Sequence, residues 1–348
     1  MVRLKDIAEK VNVSTATVSN VLNGTGNISD ETRKRVMEVV KDLDYQPNNI
    51  AKSLKMKRTN TIGVIVEDIT IFNTPQIIDG INEYAAENGW SIILTNMRLY
   101  KTVPSESTSK EYCRKMVPNA VRDLISKQVD GIIYIGMHPR DMTGIFPEVK
   151  KPIVCTYSYT TEPDTYSINY NNESTAYKAT QYLIGKGHKK IALISGLIDS
   201  APSRGRFNGY YKALEDNNIP FNPDLVKTGD WELMSGYLQA KNLFEKEYPT
   251  AILAMNDLMA AGVYEACKEL QLSIPEDVSV MGIDDREMAF YLSPKLTTMK
   301  LPLVQMGKFS METISTIINN SIMEPVNLLE CKLIERESVG QPKEELID

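Results

Sequence analysis

At 348 residues the chain is too long for one small core and about right for a small module joined to a larger two-lobed body. With 42% hydrophobic and 24% charged residues it reads as soluble and globular, and its longest apolar runs, such as 251–255, fall far short of a membrane span. The first residues show no apolar signal segment, which points to the cytoplasm, and four scattered cysteines and two histidines argue against a disulfide framework, a metal site or a His-based triad, with no cofactor expected.

Three short amphipathic patterns open the chain. Leu4, Ile7, Ala8 and Val11 fall at helical spacing, as do Val18, Val21 and Leu22, and then Val36, Val39, Val40 and Leu43. Asn12-Val13 allows only a tight connection between the first two helices. Ser14 is placed to cap the second, Asn23-Gly24 to end it, and Ser29 to cap the third, with Asp30 and Glu31 suiting its dipole. Two short helices with a tight turn, braced by a third, make a helix-turn-helix. With Val18, Val21 and Leu22 facing inward, the opposite face carries Thr15, Ala16, Ser19 and Asn20. That face is small and polar enough to lie against base edges in a major groove, where Asn20 can bond adenine and Thr15 or Ala16 can touch a thymine methyl. The same pattern fits an ordinary three-helix bundle equally well.

Charge separates this head from the rest. Residues 1–60 hold 11 Lys/Arg and 7 Asp/Glu, a net +4, which leaves −10 for the remainder of a chain whose total is −6. A basic head on an acidic body suits a head that meets a polyanion. After Tyr45-Gln46-Pro47-Asn48-Asn49 interrupts the helices, residues 50–58 carry four basic side chains together with Leu54 and Met56. That stretch is too short for a stable isolated helix and suits a hinge that orders on DNA.

The runs Leu4-Lys5-Asp6-Ile7-Ala8, Val13-Ser14-Thr15-Ala16-Thr17-Val18-Ser19-Asn20-Val21-Leu22-Asn23 and Tyr45-Gln46-Pro47-Asn48 resemble the head of the lactose repressor family of bacterial regulators, and the likeness continues to about residue 339. The resemblance implies a homodimeric transcriptional regulator bound to a pseudo-palindromic double-stranded operator. It implies DNA contacts from Thr15, Ala16, Thr17, Ser19, Asn20, Asn48 and Lys52, and a hinge leucine, Leu54, wedged into the central base step. Asn20 stands where the family often has Arg, and Arg3 where it often has Thr, so a guanine contact and a first-helix cap are not carried over.

From residue 60 strand and helix alternate. Apolar runs at 62–66, 91–94, 131–135 and 152–155 form one series, and 191–194, 251–254 and 278–282 a second. Two runs of βαβ units imply an α/β fold with two doubly wound parallel-sheet lobes behind the all-α head, and a cleft at the strand C-terminal ends. The family likeness makes that body periplasmic-binding-protein-like. No dinucleotide or P-loop glycine motif occurs, and Gly185-Lys186-Gly187-His188 reads as a helix end.

Several polar residues stand just past strands: Ser195-Gly196, with Arg204 and Arg206 beyond, then Asp230-Trp231, Asn256-Asp257 and Asp284-Asp285. A polyol needs acceptors, bidentate donors and a flat apolar face, which Asp284, Arg206, Asn256 and Trp231 supply. Asp257 is equally placed to cap a helix, Arg204 to be a surface charge, and Asp285 to brace a turn. Arg206-Phe207-Asn208-Gly209-Tyr210, Asn256-Asp257, Gly282-Ile283-Asp284-Asp285 and Pro294-Lys295-Leu296-Thr297-Thr298 stand where the family has its effector-domain motifs. The resemblance thus makes Arg206, Asn256 and Asp284 the effector-binding trio and Trp231 a stacking aromatic, with Tyr170 and Phe72 as further candidates. Glu67 replaces a usual proline, and Asn171-Asn172 a usual Asp-Asn. Residues 97–109 read as an enlarged loop that either covers the cleft or is a surface loop.

The expected organisation is a helix-turn-helix DNA-binding domain at 1–46, a hinge at 47–59, and an effector-binding and dimerisation domain at 60–340. Its first lobe would take 60–160 and 290–323 and its second 161–289 and 324–340, with crossings near 157–165, 284–293 and 322–327. By resemblance the dimer contact falls on the helix of 74–88 and the edge near 97–125. No leucine heptad follows Ser338, which argues against a coiled-coil tetramer. The expected function is a ligand-gated repressor of carbohydrate-utilisation genes with a small sugar effector in the cleft. A nucleobase effector or a protein corepressor is the alternative. An exported sugar receptor would need a signal segment, and an α/β enzyme a catalytic set that the sequence does not display.

Overall fold

The computed structural model describes residues 2–45, 58–99, 106–163 and 165–343, with the backbone alone at 23 and 106–109. Asn48, Lys52 and Leu54 lie outside the described residues. The chain divides into two compact units, Met1–Thr59 and Asn60–Asp348.

In the first unit α1 (Leu4–Val11), α2 (Thr15–Asn23) and α3 (Asp30–Asp42) close over Ile7, Ala8, Val11, Val18, Val21 and Val36. These are the inward positions of the three helical repeats. The Asp6 carboxylate accepts the Arg3 backbone N–H at 2.8 Å and so ties down the start of α1, which has no hydroxyl cap. Asn12 turns left-handed at φ 56° to end that helix, and Gly24 does the same for α2 at φ 67°. Ser14 accepts the Thr17 N–H at 3.0 Å and Ser29 the Thr32 N–H at 3.3 Å, the two caps expected from sequence. Arg35 of α3 donates to the Val11 carbonyl at 2.8 Å, placing a cation on the negative end of α1.

The second unit is built on two six-stranded sheets. The first contains β1 (Thr61–Val66), β2 (Ser91–Asn96), β3 (Gly131–Ile135), β4 (Ile153–Thr156), β5 (Thr165–Tyr170) and β11 (Val326–Leu329), all parallel, in the order β11-β5-β4-β3-β1-β2. The second contains β6 (Ile191–Ser195), β7 (Val226–Thr228), β8 (Ala251–Ala254), β9 (Ser279–Asp284), β10 (Thr297–Lys300) and β12 (Lys332–Ile334), in the order β12-β10-β9-β8-β6-β7, with only β12 antiparallel. Helices on both faces bury the central strands completely, which is why β1, β3, β6 and β8 read as unbroken apolar runs.

The lobe boundaries differ from the sequence expectation. β5 belongs to the first sheet, so the first crossing falls at Asn171 rather than within 157–165. β10 still belongs to the second sheet, which moves the second crossing from 284–293 to Leu301–Pro302. β11 pairs with β5, and the third crossing shifts from 322–327 to Glu330–Cys331. The reason is compositional. β5 reads Thr-Tyr-Ser-Ile-Asn-Tyr, whose polar groups are satisfied inside; Ser167 Oγ, for example, accepts the Thr160 N–H at 3.2 Å. The enlarged loop is also shorter than expected, because α5 (Glu106–Ser126) already begins within it.

The body also contains α4 (Asn73–Glu87), α6 (Asn172–Gly185), α7 (Ala201–Asp216) and α8 (Leu233–Lys246). After them come α9 (Asp257–Glu269), the short α10 (Met288–Tyr291) and α11 (Leu303–Ile318), which returns to the first sheet and packs on α4. That contact is backbone on backbone. A Cβ on Gly80 would sit 2.0 Å from the Val304 carbonyl oxygen, and one on Gly307 2.0 Å from that of Ile77. All four cysteines are free and buried. No helix among the described residues is long and apolar enough to cross a membrane.

His188, 1% exposed, locks the end of α6 to the C-terminal segment. Its Nε2–H donates to the Gly340 carbonyl at 3.1 Å, and Nδ1 lies 3.0 Å from the Thr250 hydroxyl. Burial lowers its pKa below the ordinary 6.5, against the smaller opposing pull of Gly340. The unfolded chain therefore takes up this proton more readily than the native one, and stability is lost as pH falls through the mid-six region and below. As pH is lowered from 7.5 to 5, the melting temperature of His188→Gln should rise relative to that of the parent, because the variant lacks this loss while the buried carboxyls titrate alike in both. An unchanged slope in the variant would show that His188 is not responsible.

Candidate functional site

On the head, α2 presents Thr15 and Ala16 exposed and Thr17, Ser19 and Asn20 half-buried. The Thr17 hydroxyl is 2.8 Å from Ser14 Oγ, at the start of the helix. Asn20 Oδ1 makes a long 3.5 Å contact with the Thr25 hydroxyl, and its amide lies over Gly26. The open outer face of α2 is thus narrower than the sequence suggests. Thr15 and Ala16 form its centre, while Thr17 and Asn20 also brace the turns on either side.

In the body, strand ends from both sheets converge. Tyr170 closes β5 in the first sheet, and Asp284 closes β9 in the second. Arg206 on α7, 2% exposed, links them. Its Nη2 donates to the Tyr170 hydroxyl at 2.8 Å and lies 3.9 Å from Asp284 Oδ1. Its Nε donates to Asn172 Oδ1 at 3.0 Å, and its Nη1 to the Met255 carbonyl at the end of β8. Tyr157 packs on Tyr170 with ring centres 5.6 Å apart. Burial works against the charge on Arg206, but Tyr170 and Asp284 favour it, and its pKa is raised. Burial also raises Asp284, outweighing the pull of Arg286 and Arg206.

Trp231 comes after β7 in a left-handed conformation, φ 76°. Its indole occupies the space where a Cβ on Gly196 would stand, 2.0 Å from the ring, so only glycine leaves room for it. The Arg206 guanidinium lies 5.5 Å from the indole centre. Asn256 holds this arrangement from behind: Oδ1 accepts the Met259 N–H at 2.8 Å as the cap of α9, and Nδ2 donates to the Trp231 carbonyl at 2.8 Å. Both polar atoms of Asn256 are thereby engaged, which makes it a positioning residue for Trp231. Asp257 is not the cap. It accepts from Thr298 Oγ1 at 2.6 Å and from the Arg286 N–H at 2.8 Å, bracing the turn after β9.

Asp285 pairs with Arg336 at 2.6 Å, in keeping with the turn-bracing alternative, and Arg204 donates to the Asp199 carbonyl at 2.6 Å. Phe72 precedes α4 on the first lobe, and the guanidinium of Arg286 from the second lobe sits 3.9 Å above its ring. Tyr157, Asn172 and Arg286 are site residues that the sequence does not single out. Asn172 is noticed only because its neighbour Asn171 departs from the family's Asp-Asn pair, and Arg286 has no signal beyond its place after Asp284-Asp285.

The departure at Glu67 also has a structural counterpart. The carboxylate, fully buried at the end of β1, accepts from Arg140 and Tyr134 and from the Met137 N–H at 2.9 Å. Burial and this carboxylate raise the neighbouring Cys113 thiol to about 11, so it stays protonated. The cluster is a buried, charge-paired brace of the first lobe.

Residues 3–48 match the family model for bacterial regulatory proteins of the lacI family, and residues 180–339 that for a periplasmic binding protein-like domain. The ribose operon repressor of Haemophilus influenzae is 34% identical, over 92% of this chain and 93% of that protein. The HTH-type transcriptional repressor PurR of Vibrio vulnificus is 34% identical, over 90% of each. Among solved structures, the lac repressor dimer bound to operator and the anti-inducer ONPF superposes with a TM-score of 0.77 at 28% identity, covering 97% of this chain and 99% of that one.

Proposed function

The chain belongs to the lacI family of bacterial regulatory proteins and is a DNA-binding transcriptional regulator, and we propose that it acts as a homodimeric repressor of carbohydrate-utilisation genes, released or retained on a pseudo-palindromic operator by a small hydroxylated ligand in the cleft. One observation carries this reading. Tyr170 from one sheet and Arg206 and Asp284 from the other meet in a single cluster, so a ligand placed there touches both lobes at once. A ligand that binds two lobe arrangements unequally shifts their balance, and affinity for DNA changes by the same factor. In this scheme residues 1–46 read the operator, 47–59 form the hinge, and 60–340 hold the ligand and the dimer contact. That contact is assigned to α4 and the edge near 97–125. The flat faces of Trp231 and Phe72 suit a nucleobase as well as a sugar ring, which keeps a base as the second reading.

The DNA-reading part is tested on α2. After an operator is selected from a randomised duplex pool, Ala16→Glu should weaken its binding about 10- to 100-fold, because a carboxylate is set against base edges and phosphates. Ala16 is exposed, so the melting temperature should hold. Undiminished affinity in an anisotropy titration would mean that α2 does not enter the groove.

A further inference from the structure

Arg286 places a second guanidinium in the cleft beside Arg206. Its backbone N–H donates to Asp257 at 2.8 Å, and its Nε donates to Asp284 Oδ2 at 3.0 Å. Its guanidinium carbon stands 3.9 Å from the centre of the Phe72 ring on the opposite lobe. Backbone, Nε and ring contact together fix where the group sits. Among the described residues its two terminal nitrogens meet no acceptor, although the side chain is only 20% exposed. A guanidinium so held presents a fork of N–H donors matched to a carboxylate or phosphate.

The charge balance of the cleft points the same way. Arg206 and Arg286 face Asp284, and the second carboxyl nearby, Asp257, is pushed up to about 8 by burial and by Asp284. Near neutral pH its negative charge is therefore diminished, and the cleft has a positive excess that a neutral ligand would leave unanswered.

We propose that the effector is an anion, a small hydroxylated molecule carrying a phosphate or carboxylate, and that the terminal nitrogens of Arg286 hold its charged group between the lobes. This rests on the reading of the cleft as the effector site. Anion and Phe72 then engage one guanidinium from two sides, so the charged group is sensed where the lobes touch.

The test uses the full chain and matched compounds: glucose with glucose 6-phosphate, ribose with ribose 5-phosphate, and glucose with glucuronate. Thermal shift and titration calorimetry compare each pair. At least one charged member should bind about tenfold or more tightly than its neutral partner, as charge-assisted pairing predicts. The phosphate and carboxylate arms identify which group is taken. Arg286→Gln should lose that advantage, and Arg286→Lys, which keeps the charge without the fork, should regain only part of it. A neutral member that binds more tightly than its charged partner overturns the anion assignment and leaves the effector site standing. So does a charged ligand bound equally well by R286Q, since Arg286 would then serve only to pin Phe72. Binding by no compound of either kind overturns both this assignment and the reading of the cleft beneath it.

Discussion

Asp284→Asn is expected to weaken effector binding by about 100-fold or more, while the duplex affinity of the free protein stays within about threefold. The asymmetry arises from where the charge sits. The Asp284 side chain is 4% exposed and answers two guanidinium groups, Arg206 at 3.9 Å and Arg286 at 3.0 Å. Removing one partner of a buried ion pair costs about 3–5 kcal/mol, because the remaining charges stay buried and uncompensated. Without the carboxylate neither Arg206 nor Arg286 is held in place, and this lost positioning outweighs the extra positive charge that an anionic ligand would meet. Part of that cost should appear as a lower melting temperature and part as lost ligand response. Asparagine is the substitution of choice because Asp284 has φ 131°, a region it tolerates better than alanine. The reading head belongs to a separate compact unit, so its chemistry is untouched. The check is a titration of ligand into a labelled operator complex, and a response at unchanged ligand concentration would place the effector elsewhere.

Gly80→Ala should destabilise the body by about 3 kcal/mol, which corresponds to a fall in melting temperature of about 6–12 °C. The added Cβ would stand 2.0 Å from the Val304 carbonyl oxygen, and that oxygen belongs to helix backbone. A flexible side chain could swing away, but two helices can only move apart, and separation strips the α4–α11 seam of its dispersion contacts. Gly185 is the control. A Cβ there meets nothing within 4 Å, so Gly185→Ala should stay within about 0.5 kcal/mol of the parent. Equal melting temperatures for the two variants, by calorimetry, would refute the seam as drawn.

The sequence is most legible where one principle acts alone. Ile7, Val11, Val18, Val21 and Val36 line the head core because helical spacing with short, capped helices leaves little choice. The fully buried strands are equally plain. β5 is hidden because its Tyr, Ser, Thr and Asn residues satisfy their polar groups through contacts that only the folded lobe supplies, and missing it misplaces the first crossing. In the cleft, residue type and position past a strand locate Arg206, Asp284, Trp231 and Asn256. They cannot assign roles. Whether Asn256 faces a ligand or spends both polar atoms on Met259 and Trp231 depends on which donor and which acceptor the fold brings to 2.8 Å from it. Arg286 illustrates the same limit, because a surface arginine and one laid over Phe72 look identical in a string of letters.

The Glu67 cluster has a bearing on how such a chain can diverge. Exchanging Glu67 for an apolar residue on its own would deprive the Arg140 guanidinium of the carboxylate it pairs with and the Tyr134 hydroxyl of its acceptor, and losing Arg140 first would leave the buried carboxylate without its counter-charge. Either single step costs about 3–5 kcal/mol of stability, although the doubly substituted endpoint can be as stable as the starting point. The two positions are therefore locked into joint inheritance, and a lineage carrying one member of the pair should be found carrying both.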